Sequence, residues 1–519
     1  SLAARFEEHV MDATDSFEYW IEEKETLAGV PADYIEQAAQ LAGSKGKKGY
    51  VLSLQAPVVM AVLQYASNRD LRERIYRAWS TRASDLGPAE WDNSELMLRI
   101  IQLRQQEAHL LGFGNYAELS LQTKMAPSVM AVMDFLENLA VCAKPYAERD
   151  WADLNEFARN RLHMRELQAW DISYVSEKLR LERFDFSEEE VREYFPVEEV
   201  IQGLFSLAEQ LYGLHIVEQH GVSKWHPDVC FYEITGSEGL PVGYFYMDLY
   251  ARPMKRGGAW MDEAISRHRS ENGLQAPVAL LTCNFSPPIG GRSALLTHDD
   301  VLTLFHEFGH GLHHLLTEID EIELSGIHGV EWDAVELPSQ FMENFCWDWQ
   351  VLSRMSKHVG TGMRFPRQLY DRMLASRYFQ AGLQLLRQVE YSLFDMQLHA
   401  RQDLGNPEAI LDLLDKVRHQ VAVVFPPSFN RFPHAFSHIF AGGYAAGYYS
   451  YKWAEVLSAD AFELFEEKGV VNLDLGNRFR KEVLSRGGSR DAMESFVAFR
   501  GRQPRIDALL RASGMKSAG

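Results

Sequence analysis

Cysteine is scarce in this chain. Its four residues, Cys142, Cys230, Cys283 and Cys346, are far apart among 519 and form no C-x-x-C pair. That pattern argues for buried free thiols in a reducing compartment rather than a disulfide framework. No run of 18 apolar residues occurs, so no transmembrane helix is expected. Positive charge is also in deficit: Lys+Arg 52 against Asp+Glu 73 leaves a net charge of −21. Such acidity argues against nucleic acid or an anionic membrane as the main partner. A cleft can still differ from the mean surface, so a peptide ligand is not excluded. The start, Ser1-Leu2-Ala3-Ala4-Arg5, lacks Met and is no signal peptide, so a cytoplasmic chain that is processed, or a piece of something longer, is expected. No internal repeat or low-complexity segment is found. The loop Gly43-Ser44-Lys45-Gly46-Lys47-Lys48-Gly49 lacks the G-x-x-x-x-G-K-[ST] pattern and reads as a solvated turn, not a phosphate cradle.

What is present is ordinary for a globular protein: 46% hydrophobic and 24% charged residues. The length suggests about three domains or one large multi-lobed enzyme. The first two hundred residues read mostly as helices. Pro127 suits a helix start before Val129, Val132, Phe135, Leu136 and Leu139, and segments 70–85, 94–112, 145–165 and 197–212 share the 3.6-residue period. Strand signals cluster in 215–285, at 229–234, 242–250 and 278–283. After residue 300 the chain is helical again, with a break at 425–433. The expected fold is mainly α with a small, largely antiparallel sheet. A helical lobe over 1–200 would precede a region over 201–519 that carries the sheet and the chemistry.

The chemistry is centred on His306-Glu307-Phe308-Gly309-His310. Val301, Leu304, Phe305, Phe308, Leu312 and Leu315 recur at spacings of three and four, which predicts a buried helix over about 299–316. On that helix His306 and His310 share one face and can bind one zinc ion, while Glu307 is placed to take a proton from water. In a chain of this length and composition the pattern arises by chance roughly one time in twenty, so it needs support.

Catalytic zinc takes three protein ligands and leaves a fourth position to water. A third His six residues after His310 is excluded, because that residue is Leu316. A carboxylate from a following helix remains. Spacing favours Glu336 but leaves Glu331, Asp333 and Glu343 open. Asp333 reads as the N-cap of that helix and Pro338 as a kink within it. Farther on, Tyr444, Tyr448 and Tyr451 at i, i+4 and i+7 would share one helical face. Gly442, Gly443 and Gly447 leave that backbone free to move.

These stretches together resemble the thimet oligopeptidase family of zinc peptidases, its bacterial branch best. Val335-Glu336-Leu337-Pro338-Ser339-Gln340 follows the zinc motif. Matching runs also occur at 243–250, 295–300 and 441–451, within a recognisable part from about 225 to 456. The resemblance implies a bi-lobed zincin-type peptidase with a deep substrate channel and one Zn2+ per chain, held by His306, His310 and Glu336. It implies Glu307 as general base, with Tyr451 and Tyr444 stabilising the oxyanion. Tyr448, His438 and His328 would line the substrate, although the spacing of His438 to the Gly-Gly pair differs from the family's by one residue. The family also carries a further helical segment before the point where this chain begins. Short peptides would be the substrates of a cytoplasmic monomer, cleaved internally. A dipeptidyl carboxypeptidase of the same family is the first alternative, and a helical scaffold with a structural metal the second. His313 and His314 read as neighbours of the site rather than ligands. Arg292 and Arg431 are weighed as carboxylate contacts against a surface role.

Overall fold

Helices follow one another through the first two hundred residues, as the apolar period requires. In the computed structural model, which describes residues 1–401 and 404–516, they include α1 (Leu2–Asp15), α2 (Ser94–Leu110) and α3 (Val129–Arg161). The Ser128 side chain accepts the Ala131 N–H at 3.1 Å, an N-cap that contributes about 1 kcal/mol. The periodic segments at 129–139 and 145–165 join into one helix of 33 residues that runs through Pro145. Proline removes one backbone donor. Packing of Leu136, Leu139, Ala143 and Ala147 in a buried core holds the helix together across that gap.

Five strands form the main sheet: β1 (His215–Glu218), β2 (Cys230–Thr235), β3 (Pro241–Tyr250), β4 (Trp260–Ile265) and β5 (Val278–Phe285). Their order is β1-β2-β3-β5-β4. All pairs are antiparallel except β3 with β5, where Tyr244 faces Val278 and Asp248 faces Thr282. The chain leaves β3, forms β4 on the far side, passes through the ribbon His268–Ser270/Gly273–Gln275 and returns as β5 between the two. This leaves β4 at an edge.

Beyond the sheet come α4 (His298–Leu315), α5 (Leu337–Glu343), α6 (Ala381–Ala400) and α7 (Ser450–Lys468). α4 lies across the sheet, with the Phe308 ring 5.9 Å from that of Phe245. One core joins the sheet to α4 and α5 through Phe245, Leu281, Phe308 and Phe341. A second draws on both sides of residue 200, with Leu136 and Leu139 of α3 against Leu393 and Phe394 of α6 and Tyr449. A third gathers residues 21–75. All four cysteines are free, three of them buried. Among the described residues no helix is long and apolar enough to cross a membrane.

Candidate active site

The motif helix is fixed at its start by a capping box. Thr297 Oγ1 accepts the Asp300 N–H at 3.0 Å, and Asp300 Oδ2 accepts the Thr297 N–H at 2.9 Å. Two of the orphan donors of the first turn are thereby satisfied. Val301, Leu304, Phe305, Phe308, Leu312 and Leu315 are all buried, as the period predicts. The opposite stripe presents His306 and His310, whose rings lie 4.9 Å apart.

Glu336 arrives from α5. The structure corrects two readings of this segment. Pro338 does not kink a helix but lies in its first turn, where the missing N–H costs nothing. Asp333 is not the cap; Glu336 occupies that position. The buried Asp333 carboxylate instead accepts the N–H groups of Met125 (2.6 Å) and Ala126 (2.9 Å) and the hydroxyl of Tyr449 (2.8 Å). Close approach of α4 and α5 depends on Gly309. A Cβ there would meet Pro338 O and Ser339 Cα at 2.6 Å each, a contact that only glycine avoids.

The approach brings Glu336 Oε2 to 3.0 Å from His306 Nε2 and 3.1 Å from His310 Nε2. All three ligand atoms lie within 4.8 Å of one another. Zinc bound tetrahedrally at about 2.0–2.2 Å sets such atoms about 3.3–3.5 Å apart. A His2Glu set is a catalytic-type donor set with one position left for water. The residues therefore fit a divalent metal. Next to them, Glu307 is 4% exposed and its Oε2 has no hydrogen-bond partner among the described residues. Burial pushes its carboxyl above the usual range, against the pull of His306 and His310.

Glu343, left open as a ligand by spacing, takes another place. Two turns beyond Glu336, its Oε1 accepts from His306 Nδ1 at 2.6 Å. That bond fixes the imidazole so that Nε2 faces Glu336. Glu343→Gln is expected to weaken metal affinity about 10- to 100-fold, measured by competition with a chelator. An unchanged affinity would show that the ring is oriented by packing alone.

The tyrosines are brought together, but not by a helix. α7 begins only at Ser450. Gly443 (φ +84°) and Ala446 (φ +47°) are left-handed and break the predicted stripe. Their rings still cluster: Tyr444 stacks on Tyr451 at 4.8 Å, and Tyr448 meets Tyr451 at 5.1 Å. Tyr444 donates its hydroxyl to Glu336 Oε1, and Tyr448 to Gln388 Oε1 at 3.1 Å. Burial, reinforced by Glu336, holds the Tyr444 and Tyr451 phenols well above their ordinary pKa, so both remain donors. The His438 ring lies 5.5 Å from Tyr448 and 6.1 Å from Tyr451, with its pKa lowered by burial.

Two cavities, of about 910 and 650 Å3, share His306, His438 and Tyr451 in their walls. The smaller also takes in Glu307, His310, Glu336 and Tyr444. The larger takes in Tyr448, Glu343 and the α6 residues Gln384, Arg387 and Gln388. His328 is not part of either wall; its Nε2 lies 2.7 Å from Glu263 Oε2, and its neighbour Ile327 reaches the smaller cavity. His314 binds Ile265 O at 3.0 Å. His313 is buried and pushed down to about 3, so both stay neutral behind the site. Arg292 pairs with Glu36, and Arg431 with Asp85 at 2.7 Å. Both are engaged away from the site.

A buried H-E-x-x-H helix, a carboxylate from the next helix and a sheet edge beside them, inside a helical body, define a zincin-type metallopeptidase. Residues 62–515 match Peptidase family M3, and the chain belongs to that family. It is 49% identical over 518 residues to Oligopeptidase A of Salmonella typhimurium and 50% identical to that of Escherichia coli. Each alignment covers 99% of this chain and 76% of the relative. These relatives agree with the bacterial branch read from the sequence. Dipeptidyl carboxypeptidase of Salmonella typhimurium is 32% identical, over 99% of this chain and 75% of that protein. Among solved structures, PZ peptidase A superposes with a TM-score of 0.61 at 16% identity, over 99% of this chain and 74% of that one. At that identity the likeness speaks for the fold alone.

Proposed function

We propose that this protein is a zinc-dependent endopeptidase of short oligopeptides, working as a monomer in the cytoplasm. One observation carries the reading: His306, His310 and Glu336 converge beside a buried carboxylate whose Oε2 is unpartnered among the described residues. Higher identity to proteins named Oligopeptidase A than to dipeptidyl carboxypeptidases supports internal cleavage.

In this reading His306, His310 and Glu336 hold the zinc. When bound, zinc supplies Lewis acidity, which acidifies water and polarises a carbonyl oxygen. Glu307 accepts the proton of the attacking water and passes it to the leaving amine. Tyr451 donates a hydrogen bond to the oxyanion, supported by Tyr444. Tyr448 and His438 line the peptide on the side of the larger cavity. His328, held by Glu263, orders the loop whose Ile327 meets the peptide.

Two internally quenched fluorogenic peptides, alike except for a free or amidated C-terminus, test this. Both are expected to be cut at the same internal bond at rates within about threefold. A chelator should abolish cleavage and zinc restore it. Loss of cleavage on amidation would favour the dipeptidyl carboxypeptidase, which must hold a free carboxylate. Chelator-insensitive cleavage would contradict the metal reading.

A further inference from the structure

The tyrosine segment presents a puzzle. It is not helical, it is rich in glycine, and Ala446 holds a left-handed backbone at φ +47°. A non-glycine residue stays in that region only where its surroundings over-determine it. Here the determinant is a side chain from another helix. Asp395 of α6, fully buried, accepts three consecutive backbone N–H groups: Ala446 at 2.9 Å on Oδ1, then Gly447 at 2.8 Å and Tyr448 at 2.9 Å on Oδ2. We propose that Asp395 is a positioning residue for the reaction, holding residues 446–448 so that Tyr448 lines the larger cavity and Tyr451, on the turn that follows, faces the metal-binding cluster. The proposal rests on the reading of the tyrosines given above.

The support behind Asp395 is a relay into α2. Arg104 Nη1 lies 2.9 Å from His399 Nε2. A guanidinium only donates, so Nε2 accepts and the ring proton sits on Nδ1. Nδ1 lies 2.9 Å from Asp395 Oδ1 and 2.9 Å from the Asp395 carbonyl. The ring N–H thus bonds the Asp395 carbonyl beside Oδ1, while the carboxylate oxygens accept the three amides, all in the interior. A buried acceptor so fully satisfied rigidifies what it binds. The same helix carries Gln388, which receives the Tyr448 hydroxyl. α6 therefore sets both the backbone and the phenol of Tyr448. Asp333 grips the next residue through the Tyr449 hydroxyl, so the segment is clamped from two directions just before α7 begins.

A staple that only stabilises the fold would use the same bonds. The two roles differ in what their loss does when the tyrosine is already disabled. Asp395→Asn keeps the volume but puts an NH2 group against backbone donors. It is expected to lower kcat about 10- to 100-fold, with KM within about threefold and zinc content unchanged. In the Tyr451→Phe background the same change should cost less than about threefold, because residues acting as a unit are not additive. An equal loss in both backgrounds overturns the proposal, as does a kcat within threefold of wild type or a loss that tracks zinc content. Should Asp395→Asn not be recovered folded, His399→Gln decides by the same cycle. It is expected to lower kcat about three- to tenfold in the wild type and not measurably in Tyr451→Phe; equal losses overturn the proposal. The underlying reading fails separately: Tyr451→Phe with kcat within tenfold of wild type removes the tyrosine from the chemistry, and Asp395 with it.

Discussion

Glu307→Gln is expected to reduce kcat by about 10⁴-fold, the upper end of what a positioned general base supplies, while the protein keeps its full complement of zinc. The side chain sits next to His306 on α4 but outside the trio of converging ligand atoms, so its loss leaves the metal-binding set intact. Its Oε2 is buried without a partner. No group among the described residues uses that oxygen, which leaves it open for the proton transfer proposed above. Glutamine matches the shape and cannot accept the proton. Burial also holds the Glu307 carboxyl above the usual range, opposed by the two imidazoles. A base pushed upward is better matched to neutral pH. Turnover within tenfold of wild type, at unchanged zinc content, would remove Glu307 from this role.

The next largest effect is expected from Tyr451→Phe, a fall in kcat of about 10²- to 10³-fold with KM nearly unchanged. The two candidate donors are not equivalent. Tyr444 commits its hydroxyl to Glu336, so removing it also disturbs a proposed metal ligand. Tyr451 lines both cavities, stacks on Tyr444 at 4.8 Å and bonds its phenol, so removing its hydroxyl reaches the metal-binding trio only through Tyr444. Its phenol stays protonated because burial and Glu336 both raise its pKa. A donor that acts only as negative charge develops changes kcat, not substrate affinity. A rise in KM alone would assign Tyr451 to ground-state binding.

The motif helix was legible because two independent signals coincided: an apolar period of 3.6 and a pair of histidines on its polar stripe. Glu336 was legible only as one of several acids, since spacing cannot say which carboxylate a turn returns to the histidines. Gly309 held the missing clue, as the position where the second helix must come close. Pro338 was misread because a proline marks a kink or a first turn equally well until the helix start is known. β4 escaped notice because an edge strand half exposed to solvent, Trp260–Ile265, needs no strict alternation. Tyr444, Tyr448 and Tyr451 were rightly grouped for the wrong reason. Their spacing suits a helix, but tertiary bonds to Asp395 override it. Glu343 was legible only as one more candidate ligand, since its bond to His306 spans 37 residues, and the hold of Asp395 on the tyrosine segment was not legible, since the amides it accepts begin 51 residues away.

The proposed chemistry requires one divalent ion between α4 and α5. Anomalous diffraction from zinc-loaded crystals, collected on either side of the zinc absorption edge, tests it directly. A single strong peak about 2.0–2.2 Å from His306 Nε2, His310 Nε2 and Glu336 Oε2 is the expected result. A peak elsewhere, or full peptidase activity in crystals without one at this position, would rule out this metal site.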